Sequence, residues 1–91
     1  MFRIVLECDA GGLSADIGEQ AAIDIADEFV HRPWHTNVRC TWDSPCMRLE
    51  AENDYDNQGL AIRHEFSDAL AACAAMYERV GGIRIVSLTE F

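Results

Sequence analysis

Four residues within a span of sixteen, His31, His35, Cys40 and Cys46, are competent ligands for a transition metal. Their spacings are His-x3-His and Cys-x5-Cys, however, and the Cys-x2-Cys pair that recurs in structural zinc sites is absent. Cys8 is a second chemical candidate. It precedes the Gly11-Gly12 turn, where backbone amides and a helix N-terminus would favour a thiolate. Glu7 and Asp9 flank it and act in the opposite sense, raising the thiol pKa. His64 falls at an inward position of a short alternating segment and could serve as a buried base, but acid–base catalysis needs a second converging group. No catalytic constellation and no cofactor motif emerge. The expectation is a protein that is not an enzyme and carries no cofactor.

The segment Asp54-Tyr55-Asp56-Asn57-Gln58-Gly59, with Glu65 at the twelfth position, resembles an EF-hand calcium loop. The resemblance implies that Asp54, Asp56, Gln58 and Glu65 would ligate Ca²⁺, with Leu60 adding its carbonyl. Gln58 replaces the usual short side chain, Ile62 has no oxygen to offer, and no second loop is present to pair with this one. A polar hairpin loop accounts for the same residues, so calcium is the alternative expectation.

Two changes of hydrophobic period define the elements that must position these groups. Phe2, Ile4, Leu6 and Cys8 alternate with polar residues, as on a strand with its even positions inward. Ser14 is a natural N-cap, and Gly18, Ala22, Ile25 and Phe29 form the buried stripe of a helix that Pro33 ends. Val38–Trp42 and Met47–Glu52 alternate again as a hairpin about Asp43-Ser44-Pro45. If that loop spans five residues, Cys40 and Cys46 stand opposite each other and a bridge between them becomes feasible. Leu60, Ile62, His64 and Phe66 alternate too, yet Ile62, Phe66, Ala69, Cys73, Met76 and Val80 also make a helical stripe. Ser67-Asp68 suits a helix start, which favours a strand over 60–66 and a helix over 68–80 stopped by Gly81-Gly82. A last strand covers Ile83–Leu88.

The order β-α-β-β-(β)-α-β specifies an α+β two-layer sandwich over residues 1–91, a mainly antiparallel sheet with two helices on one face. It resembles a ferredoxin-like plait with one extra hairpin strand. The resemblance is one of element order alone, and many unrelated functions use that fold.

In such a plait the sheet face turned from the helices is a docking surface. Arg3, Arg39, Arg48 and, with Ile83 and Ile85 inward, Arg84 fall on it, beside Val5, Val86 and Leu88. Arginines among apolar residues suit carboxylate recognition or a protein interface, while cross-strand Arg–Glu pairs would also explain them. On the second helix, Ala71, Ala72 and Ala75 form a small-residue arc that helix propensity alone explains.

Sixteen acids against seven basic residues give a net charge of −9, which disfavours nucleic acid and anionic membrane as partners. No apolar run reaches the roughly 20 residues of a membrane span, and the first residues do not read as a signal peptide. The expectation is a cytoplasmic interaction module with a protein partner, a second copy included. The acidic balance offers a further alternative, an inhibitor that imitates nucleic acid.

Overall fold

A computed structural model describes residues 1–10, 12–43, 45–73 and 82–91. Strand β1 (Phe2–Asp9) leads to helix α1 (Ala15–Val30), the hairpin β2 (Thr36–Asp43) and β3 (Cys46–Asn53), helix α2 (Leu60–Ala72) and strand β4 (Ile83–Glu90). The result is a small α+β domain with a four-stranded antiparallel sheet, in the order β2-β3-β1-β4, and two helices. Each helical crossover skips one strand: β3 lies between β1 and β2, and β1 lies between β3 and β4.

Alternation places Ile4, Leu6 and Cys8 of β1 beside Met47, Leu49 and Ala51 of β3 on one sheet face. Ala21, Ala22, Ile25 and Phe29 of α1 and Ile62, Phe66, Ala69 and Leu70 of α2 close over them in a single core. Full burial of the Ile, Leu, Met and Phe side chains among them stabilises by about 1.5–3 kcal/mol each. Ser14 caps α1 as its type predicts, its hydroxyl accepting from Ile17 N. Gly18 is required where it stands, because a Cβ there would meet the Trp42 indole at 2.4 Å.

The expected strand over 60–66 is a helix instead. Of the four alternating residues, Ile62 and Phe66 are fully buried, while Leu60 is 55% exposed and the His64 side chain 80% exposed. The buried pair is therefore spaced i, i+4, and the apparent period of two is coincidental. Helix α2 starts at Gly59, which holds φ at +72°, and Ser67 lies within the helix. Four strands exist among the described residues, with no extra hairpin strand. The expected continuation of this helix through Ala75 and Val80 to Gly81 lies outside the described residues.

The hairpin loop holds two residues rather than five, since Asp43 pairs with Cys46. Cys40 then stands opposite Leu49 and packs against the core, whereas Cys46 is on the outward face. All four cysteines are free. A Cys40–Cys46 bridge is excluded by this register.

Candidate functional site

The face of the sheet turned from the core presents the arginine set. Arg3 Nε and Nη2 donate to Glu52 Oε2 at 2.9 and 2.7 Å. Arg48 donates to Glu7 at 3.2 Å and to Glu50 at 3.3 Å. Arg84 reaches Glu7 at 3.2 Å and Asp9 at 3.1 Å. Three of the four arginines thus sit in cross-strand ion-pair chains, and exposed pairs of this kind contribute about 0.2–1 kcal/mol each. Arg39 differs: it is exposed and has no ion-pair partner among the described residues. Val5 is 5% exposed, flanked by Glu50 of β3 and Ser87 of β4.

Leu88 is not on this face. The register with β1 shifts between Val5 and Leu6, so that Val5 pairs with Ser87 but Leu6 with Ile85, leaving Val86 as an extra residue. The bulge reverses the alternation that Ile83 and Ile85 establish, and Leu88 turns inward to pack on the core. Val86 stays 46% exposed. Phe91, 61% exposed, lies under the Arg3 guanidinium, whose carbon is 5.2 Å from the ring centroid.

Beside Arg3 is a depression of about 420 Å³ lined by Asn37, Val38, Arg39, Glu50 and Glu52, among others. A register shift between Thr36 and Arg39 and a left-handed Asn37 (φ 50°) turn the Asn37 amide onto Glu52, Nδ2 to Oε1 2.7 Å. The hydrogen bond from Asn37, followed by those from Arg3, holds the Glu52 carboxyl below its ordinary value. A depressed carboxylate contributes stability that is present above the unfolded-state value and is lost as pH falls through the folded one. Glu52→Gln is therefore expected to flatten the acid limb of the stability-versus-pH curve measured by denaturant unfolding. An unchanged acid limb would show that the carboxylate is not linked to folding.

The oxygens expected to surround calcium are committed elsewhere. Asp56 accepts from Ala61 N at 3.2 Å and Ile62 N at 2.8 Å, capping α2 from three residues before Gly59. Glu65 turns across to the loop between α1 and β2, where its carboxylate meets His35 Nε2 and accepts from Trp34 Nε1 at 3.2 Å. Asp54 and Gln58 do not join them. Among the described residues no three His, Cys, Asp or Glu side chains are gathered to hold a metal.

His35, ranked with the zinc-competent residues by sequence, is the hub of a buried network instead. Its side chain is fully buried, with Phe29, Trp34 and Tyr55 rings at 5.6, 6.0 and 6.1 Å. Asn53 Oδ1 accepts from Tyr55 N and Asp56 N, which aims its Nδ2 at His35 Nδ1, 3.3 Å away. Nδ1 is thus the acceptor and Nε2–H donates to Glu65. Sequence reasoning missed this network because its members come from three separate segments. No local sequence signal links them.

The remaining candidates are separated. Burial pushes the Cys8 and Cys40 thiols up to about 12 each, which suits core packing and not nucleophilic attack. His64 is on the outer side of α2, 3.6 Å from Asp68. Ala71 and Ala72 are exposed. No helix among the described residues is long and apolar enough to cross a membrane. No protein-family model matches the sequence, and no curated protein matches it significantly.

Proposed function

We propose that this chain is a small non-catalytic interaction module, built as a ferredoxin-like plait, that docks a partner protein on its open sheet face. The split crossovers and the strand order β2-β3-β1-β4 support the plait. The observation that carries the docking reading is the β1–β4 half of the face. There the exposed side chains of Val86 and Phe91 adjoin half-exposed Arg3 and Arg84, and no described helix lies over them. Arg3 spends Nε and Nη2 on Glu52 and keeps Nη1 for a carboxylate of the partner. Arg48 and Arg39 extend the same surface toward β2, whereas Val5, expected on this surface, is 5% exposed and is covered by its neighbours. The raised thiols, the fully buried His35 and the solvent-facing His64 favour binding over catalysis as its role.

A photo-crosslinking residue placed at Val86 in the source cells, with Ala71 on the helix side as control, tests the docking face. The expected result is a discrete adduct from position 86 that a second substitution, Arg84→Glu, removes, with none from position 71. Adducts of equal yield from both positions would refute a face-specific partner.

A further inference from the structure

We infer that two copies of this chain pair edge to edge through β2, antiparallel, about a twofold axis at Thr41. The inference concerns the edge of the sheet and shares only Arg39 with the docking face proposed above. Strand β2 has β3 on one side and nothing among the described residues on the other.

The backbone of β2 offers the matching groups. Asp43 and Cys46 flank a two-residue loop and so form a hydrogen-bonded pair, as then do Thr41 with Arg48 and Arg39 with Glu50. Donation from Ala10 N to the Pro45 carbonyl at 2.7 Å agrees, since it turns the odd-numbered residues at this end of β3 toward β1 and the even-numbered ones toward β2. Cys40 and Trp42 consequently point their N–H and C=O groups out from the edge. An antiparallel copy centred on Thr41 sets Cys40 opposite the copy's Trp42 and Trp42 opposite its Cys40. Both are hydrogen-bonded pairs, and Thr41 meets its own copy in a non-hydrogen-bonded pair.

The side chains select the same register. Arg39 and Asp43 are both exposed on the outward face, and neither has an ion-pair partner among the described residues. Glu50, opposite Arg39, is engaged by Arg48 at 3.3 Å. Centring on Thr41 places Arg39 across from the copy's Asp43, and Asp43 across from its Arg39. Centres at Cys40 or Trp42 place neither pair together. Cross-strand opposite charges contribute about 0.2–1 kcal/mol per pair, and like charges are unfavourable by a similar amount.

Helix α1 supplies apolar cover above this edge. Ala26 and Val30 border a groove of about 330 Å³ with Asn37 and Val38 of β2. The opposite arc of α1, carrying Asp24 and Glu28, is the one close enough to Cys73 at the end of α2 to influence its thiol. Val30, 73% exposed, borders that groove beside β2, and Ile23, 56% exposed, stands about two turns before it on the same helix. A twofold axis normal to the sheet keeps both α1 helices on one side of an eight-stranded sheet, flank to flank. Such a contact would bury apolar surface that the isolated chain leaves wet.

Charge reversal tests the pairing by sedimentation equilibrium on the whole chain. Arg39→Asp and Asp43→Arg are each expected to weaken the dimer by about tenfold or more, while the double variant carrying both restores it. Thr41→Cys in a Cys46→Ser background should form a disulfide-linked dimer on mild oxidation, because the non-hydrogen-bonded pair brings the two Cα atoms to about 4.5 Å. A monomer at every concentration, a double variant no tighter than the singles, or an uncrosslinked Thr41→Cys would overturn the inference.

Discussion

His35→Ala is expected to lower the unfolding free energy by about 3–5 kcal/mol, a large share of what a domain of this size possesses. The truncation empties a site walled by Phe29, Trp34 and Tyr55. It also removes the partner of two polar atoms, Asn53 Nδ2 and Glu65 Oε2, which both meet the imidazole. Leaving such groups unpaired costs about 1–3 kcal/mol each, beyond the lost contacts. His35→Phe separates the two contributions, because it refills the volume and restores neither hydrogen bond. Its expected loss is about 2–3 kcal/mol. Glu65→Gln should be milder for His35, since the amide oxygen still accepts from Nε2–H, but its NH₂ then confronts Trp34 Nε1–H. Denaturant midpoints for the three variants check the order, and a His35→Ala loss below about 1 kcal/mol would mean that the network is incidental to stability.

How much of this was legible in the sequence differs from element to element, for physical reasons. The core face of β1, the Ser14 cap and the α1 stripe follow from periodicity and a local side chain, so they read directly. The β2–β3 hairpin reads as well, because both strands alternate. Leu60–Phe66 misreads because two spacings coincide there: Ile62 and Phe66 satisfy both a strand and a helix, and the deciding contact, Asp56 on the Ala61 and Ile62 amides, spans the turn. Leu88 misreads because the bulge at Val86 leaves no mark in composition. On the arginine face the residue types identified the surface. Their pairing by Glu7, Asp9, Glu50 and Glu52 depends on cross-strand register, which only the folded sheet supplies. His35 is the extreme case. Its partners come from α1, the end of β3 and the middle of α2, and no local pattern links them.

Asp56→Ala is expected to cost about 2–3 kcal/mol and to disturb α2 at its first turn. The helix begins at a glycine that has no side chain to cap it, and the first amides of any helix lack partners within it. Asp56 supplies the missing acceptor for two of them, at 3.2 and 2.8 Å. Loss of a capping oxygen costs about 0.5–2 kcal/mol, and removal of a negative charge from a helix N-terminus about 0.3–1 more. The site is 6% exposed and Ile62, whose amide is capped, is fully buried, so water cannot replace the carboxylate as it would on a surface helix. Asp56→Asn keeps one acceptor and should recover roughly half of the loss. Because the carboxylate is occupied by amides and Glu65 by His35, calcium should leave the wild-type midpoint unmoved. Equal midpoints for Asp56→Ala and wild type would mean that α2 is held by its packed face alone. A calcium-dependent rise in the wild type would return Asp54–Glu65 to the role its spacing first suggested.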